Sequence, residues 1–198
     1  MRKTLTYFCL LMVVSCTNSL PPEEYIHWCL NPENGLSDKS ESNPFIFELQ
    51  YKPAPLVALQ NSGGEVQNGL TFKEELKELE KFEFFNFRIS TTTGQDFLKT
   101  GIKDQQEYFQ RVAYYSSFAQ PDFVLVTGSD TVSCVMYQFD RNYGISPYQT
   151  ILLGFKTGNN KNKISDKKLI YHDRILDIPS VEMEISSKSI KQIPNLKL

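Results

Sequence analysis

Three stretches of this chain alternate inward and outward residues with a period of two, and nothing else in it restricts the fold as much. Phe45, Phe47, Leu49 and Tyr51 share one face while Ile46, Glu48 and Gln50 take the other. Phe85, Phe87 and Ile89 repeat the alternation within 83–92, and Val181, Met183 and Ile185 repeat it against Glu182 and Glu184. Successive side chains of a strand point to opposite faces, so each segment buries one side of a sheet. Apolar runs at 123–126, 132–139, 150–155 and 169–178 add further strands, with Gly128-Ser129-Asp130 as a hairpin turn between the first two. Two segments carry a helical signature. Thr71 and Glu74 have the spacing of a capping box beside the stripe Phe72, Leu76, Leu79, which predicts a surface helix ending near Phe82. Asp104 and Glu107 repeat that spacing before Tyr108, Phe109, Val112, Ala113, Tyr115 and Ser116, which predicts a more deeply packed helix before Pro121. Hairpins outnumber crossover helices. The expected class is α+β, a mainly antiparallel β-sheet with about two helices packed on it, in a single domain.

The alternation begins only at Phe45. Residues 17–43 hold Pro21-Pro22, Asn31-Pro32 and Asn34-Gly35 without a sustained apolar period, which reads as a flexible spacer over 16–43 ahead of a globular domain at 44–198. Within that stretch Tyr25, Ile26 and Trp28 either dock on the domain or rest at a membrane interface. Pro53 and Pro55 end the first strand or set its continuation at a sheet edge. With 198 residues and 40 % hydrophobic content, the chain suffices for one sizeable core and is short for two.

The first residues address the chain. Arg2 and Lys3 precede an apolar run from Leu5 to Val14, the layout of an export signal, and ten apolar residues fall short of the ~20 needed to span a bilayer. Val13-Val14-Ser15-Cys16 resembles the lipobox of bacterial lipoproteins. That resemblance implies a signal peptide over 1–15, acylation of Cys16, and a membrane partner reached through the N-terminal lipid. Thr17 in place of Asp after the cysteine is similar to the sorting pattern for the outer membrane of the cell envelope. The segment from Phe139 to Tyr148, running on to Phe155, resembles a stretch of small uncharacterised envelope lipoproteins and implies no activity.

If Cys9 leaves with the signal and Cys16 carries lipid, Cys29 and Cys134 remain. An envelope compartment permits a disulfide between them, closing about 105 residues for ~4.7 kcal/mol in the chain-entropy picture; the alternative is two buried thiols.

Chemistry is sparse. Setting aside Arg2 and Lys3 with residues 1–15 takes the formal charge from −2 to −4, and the only basic cluster, Lys156 to Lys168, is broken by Gly and Asn, so nucleic acid is not an expected partner. Of two histidines, His27 lies in the spacer stretch, and on a strand His172 would point away from Asp173. Gly128-Ser129-Asp130 lacks the spacing of a nucleophile elbow, and phosphate-loop, zinc and calcium-loop patterns are absent. No catalytic residue, metal site or cofactor is expected. Arg141, between two apolar strands, and Tyr143 and Tyr148 beside it are the candidate contacts for a partner or ligand. The expected role is a non-enzymatic binding or accessory module meeting another envelope protein. A small-ligand or glycan binder and an enzyme of unrecognised type are the alternatives.

Overall fold

The structure, a computed structural model, describes residues 19–66, 69–142, 145–157 and 164–198. Eight of its strands form one antiparallel sheet: β2 (Ser37–Ser42), β3 (Phe45–Lys52), β4 (Phe82–Thr91), β5 (Phe123–Thr127), β6 (Asp130–Asp140), β7 (Tyr148–Lys156), β8 (Lys167–Tyr171) and β9 (Val181–Ile185), in the order β2-β3-β4-β7-β6-β5-β8-β9. The two edge strands, β2 and β9, lie against each other, and the Glu184 N–H donates to Asp38 Oδ2 at 2.8 Å. The sheet thus curls to a near-closed barrel, its last seam made by a side chain instead of a backbone ladder. β1 (Ser19–Leu20) and β10 (Asn195–Leu196) form a separate parallel pair, Ser19 against Asn195.

The period-two segments sit where their pattern requires. Phe45, Phe47, Leu49 and Tyr51 of β3, Phe85, Phe87 and Ile89 of β4, and Val181, Met183 and Ile185 of β9 all point inward and are buried. They meet in an aromatic centre in which Phe123 stacks on Tyr171 at 4.3 Å between centroids and Phe87 sets its edge against both. Such geometry adds about 0.5–1.5 kcal/mol per pair beyond area burial. β6 bends at a bulge between Cys134 and Met136. Opposite it, a Cβ on Gly154 would stand 2.9 Å from that of Met136, so only glycine lets the two backbones approach there.

The α+β class and mainly antiparallel sheet match expectation, but the helices number five among the described residues, not about two. They are α1 (Pro22–Leu30), α2 (Ala54–Asn61), α3 (Gly69–Leu79), α4 (Gln105–Ala113) and α5 (Ser187–Lys191). α1 occupies the stretch read as spacer: Pro22 begins it, where a missing N–H costs nothing, and Tyr25 and Cys29 at i and i+4 are buried. Asn31 caps the next turn and β2 follows, so residues 19–43 are built into the fold. α2 starts the same way beside Pro53 and Pro55. α3 begins two residues ahead of Thr71, which therefore is not its cap, and ends at Leu79. Asp104 does cap α4, accepting from the Glu107 N–H at 2.9 Å, but Phe109 faces solvent instead of the core. No helix among the described residues is long and apolar enough to cross a membrane.

Candidate functional site

Two places bring polar groups together, one closed and one open. The closed one lies where the π-helical turn at Tyr114–Phe118 meets Asp122, just before β5, and Tyr171 and Asp173 at the end of β8. Asp173 Oδ2 accepts from the Tyr115 hydroxyl at 2.5 Å and from that of Tyr171, while its Oδ1 accepts the Ile175 N–H at 2.6 Å and that of Leu176. Beside it, Asp122 accepts from Tyr114 at 2.7 Å and from Arg174 Nε at 2.7 Å. Tyr137 donates to the Tyr115 carbonyl at 2.6 Å. Burial first, then the Asp173 carboxylate for Tyr115 and Tyr115 followed by Asp173 for Tyr171, push both phenols well above the ordinary tyrosine value. These phenols hold their protons throughout the physiological range. They act as fixed donors that orient Asp173, as Tyr114 orients Asp122, which is the chemistry of a brace.

The open place is on the outer face of β2, β3 and β4. Cross-strand register sets Lys39 opposite Glu48 and Glu48 opposite Arg88. Neither cation bonds Glu48, although the Lys39 charge is close enough to be attracted by it. Lys39 pairs with Glu41 at 2.7 Å, and the Arg88 guanidinium lies over the Tyr148 ring, 4.8 Å from its centroid. Glu48 has no hydrogen-bond or ion-pair partner among the described residues, and Arg88 Nε is buried without one. Between them opens a hollow of about 430 Å³ walled by Leu30 and Pro32 and floored by Asn86 and Gln50. Gln50 is already engaged, its amide donating to the carbonyls of Cys29, Leu36 and Tyr51 at 3.1 Å each.

The residues singled out in the sequence scatter. Cys16 and Tyr143 lie outside the described residues. Arg141 donates to the Tyr108 hydroxyl at 2.5 Å and so ties the β6–β7 loop to α4. Asn142 and the buried Gln149 brace the same loop through bonds of 2.9 and 2.8 Å. Tyr148 alone joins a site, as the platform under Arg88. Cys29 and Cys134 are free buried thiols rather than a disulfide. Burial pushes Cys29 up to about 12 and Cys134 up to about 11, so neither is a nucleophile. His172 Nδ1 bonds Ser180 Oγ at 2.7 Å, and its ring is exposed, while the Asp173 carboxylate serves the tyrosines. Ser129 sits in the β5–β6 turn, 3.2 Å from Asp130 Oδ1. Among the described residues no three His, Cys, Asp or Glu side chains stand close enough to hold a metal ion. Arg88 and Glu48 are ordinary outward residues of their strands when read singly; only register brings them together.

Compared with protein-family models, with curated proteins and with solved structures, the chain matches none.

Proposed function

We propose that this protein is a lipoprotein of the bacterial envelope, acylated on Cys16 and sorted to the outer membrane, whose folded part serves as a non-enzymatic binding or accessory module for other envelope components. The observation that carries the reading is the N-terminal sequence itself, a charged start, a ten-residue apolar run and Val13-Val14-Ser15-Cys16. Two or more acyl chains on one residue suffice for stable attachment to a bilayer. The described residues share one apolar core, which supports treating them as one domain. The binding role draws support from the closed tyrosine–aspartate brace, which holds its protons, and from the open hollow, where Glu48 and Arg88 stand in register without an ion pair.

In this reading the anchor has almost no stalk. Ser19 already pairs with Asn195, and the three residues from Cys16 to Ser19 reach at most about 11 Å. The β1–β10 edge therefore rests at the headgroups, together with Trp28, which lines one hollow with Asn195 and Lys191. The module works on what reaches the membrane surface. Metabolic labelling with a fatty acid, followed by mass spectrometry of the mature N-terminus, tests the reading. Label and acyl mass on Cys16, both lost in Cys16→Ala, are expected; an unmodified mature chain would overturn it.

A further inference from the structure

We infer that the hollow over β2, β3 and β4 is a binding site for a small zwitterion, an α-amino acid with an uncharged aliphatic side chain. The argument starts from a pairing that the fold sets up and leaves unmade. Residues directly opposite on an antiparallel pair have Cβ atoms about 4.5–5.5 Å apart, close enough for a guanidinium and a carboxylate to bond. Glu48 and Arg88 stand in that register, yet no ion pair joins them. The guanidinium is drawn aside onto Tyr148, which lies diagonally across on β7, next to the Ser90 position of β4. Stacking fixes the plane of an Arg head group and leaves its edge for a planar acceptor.

The space between the two charges has the chemistry of both ends of an amino acid. Arg88, stacked on Tyr148 and lining the hollow together with Asn86, has the edge of its guanidinium to offer a carboxylate. Glu48 offers an acceptor to an ammonium group. Lys39 also lines the hollow and attracts Glu48 from β2, but its ammonium is bonded to Glu41; a ligand with only one charge would serve one of the two groups, whereas a zwitterion bridges Glu48 and Arg88 as their own ion pair would. Leu30, 44 % exposed, and Pro32 form the wall nearest the charged floor and suit an aliphatic side chain. At about 430 Å³ the hollow falls within the range of small-molecule sites. The inference stands apart from the lipid anchor, because every residue in it belongs to the described fold.

Calorimetric titration of the full chain in detergent with L-leucine, 4-methylpentanoate and 3-methylbutylamine tests it, the last two keeping only the carboxylate or only the ammonium. L-leucine is expected to bind saturably and at least about tenfold more tightly than either single-charge probe. In Glu48→Gln the advantage of L-leucine over 4-methylpentanoate should vanish, and in Arg88→Gln its advantage over 3-methylbutylamine. Both substitutions lie on the outer face, and unchanged melting temperatures would confirm that folding is intact. The inference is overturned if L-leucine shows no saturable binding up to about 10 mM, if a single-charge probe binds as tightly, or if folded Glu48→Gln and Arg88→Gln keep wild-type discrimination.

Discussion

Lys167 Nζ lies 2.8 Å from Glu83 Oε1 in the barrel interior, linking β8 to β4 across 84 residues of sequence, and the lysine side chain has no exposed surface. The other Glu83 oxygen accepts from Tyr51 at 2.8 Å, and the Lys167 ammonium also stands 5.6 Å from the Tyr51 ring centroid. Two charges taken from water need each other: losing one partner strands the other at a cost of about 3–5 kcal/mol, while an apolar replacement of both is often neutral or better. Lys167→Met and Glu83→Leu are each expected to destabilise by that amount. The double variant should recover most of the loss, as read by urea unfolding in a double-mutant cycle. Additive losses would show that the pair is not coupled.

Asp173 makes a sharper prediction, because each of its oxygens accepts from two donors, phenols on one side and backbone N–H groups on the other. Asn would turn one of those oxygens into a donor. Asp173→Asn should therefore cost about 1–3 kcal/mol for each donor left without an acceptor. Chemical denaturation measures the loss, and an unchanged midpoint would mean that the brace contributes nothing.

Alkaline pH should loosen the fold. Burial raises Cys29 to about 12 and Cys134 to about 11 from an ordinary 9.0, and it raises Tyr51, Tyr115 and Tyr171 from an ordinary 10.0. The native state keeps protons that the unfolded chain releases. This part of the stability is intact below about pH 9 and is lost progressively as pH rises through the folded values. Urea midpoints should hold between about pH 7 and 9 and fall above that, and both thiols should react with a disulfide reagent at pH 8 only once the chain is unfolded. Rapid native labelling of either thiol would contradict the buried placement.

Much of the sheet was legible in the sequence, and the helices less so. β3, β4 and β9 announce themselves by alternation, because one buried face enforces a period of two. Asp104 announces α4, because a cap is a local interaction between a side chain and an N–H three residues on. α1 and α2 were hidden by their prolines: Pro22 and Pro55 act as first-turn residues, whereas the same letters in a row look like breakers. Two buried residues, Tyr25 and Cys29, are too few to show a helical stripe. Phe109 shares the helical period of its neighbours and so reads as buried, but α4 turns that position outward.

The sites were less legible than the fold for a single reason. Tyr148 could be picked out as an aromatic at a strand end, but its partner Arg88 lies 60 positions away and Glu48 farther still, and only the register of β3 on β4 and β4 on β7 brings them to one face. Tyr115 reaches Asp173 across 58 residues in the same way. Arg141 reads as a planar donor for a partner, and one group it donates to is the chain's own Tyr108, 33 residues away.

The claim on which the functional account turns is that lipid on Cys16 holds the folded domain directly against a bilayer. The chain has one tryptophan, Trp28, in the hollow beside the Ser19–Asn195 pair, and its fluorescence can be read in vesicles containing brominated acyl chains. The account predicts that Trp28 emission from the wild-type mature protein is quenched by the brominated lipid and that emission from Cys16→Ala is not. Equal emission from the two proteins, with or without bromine, would contradict it.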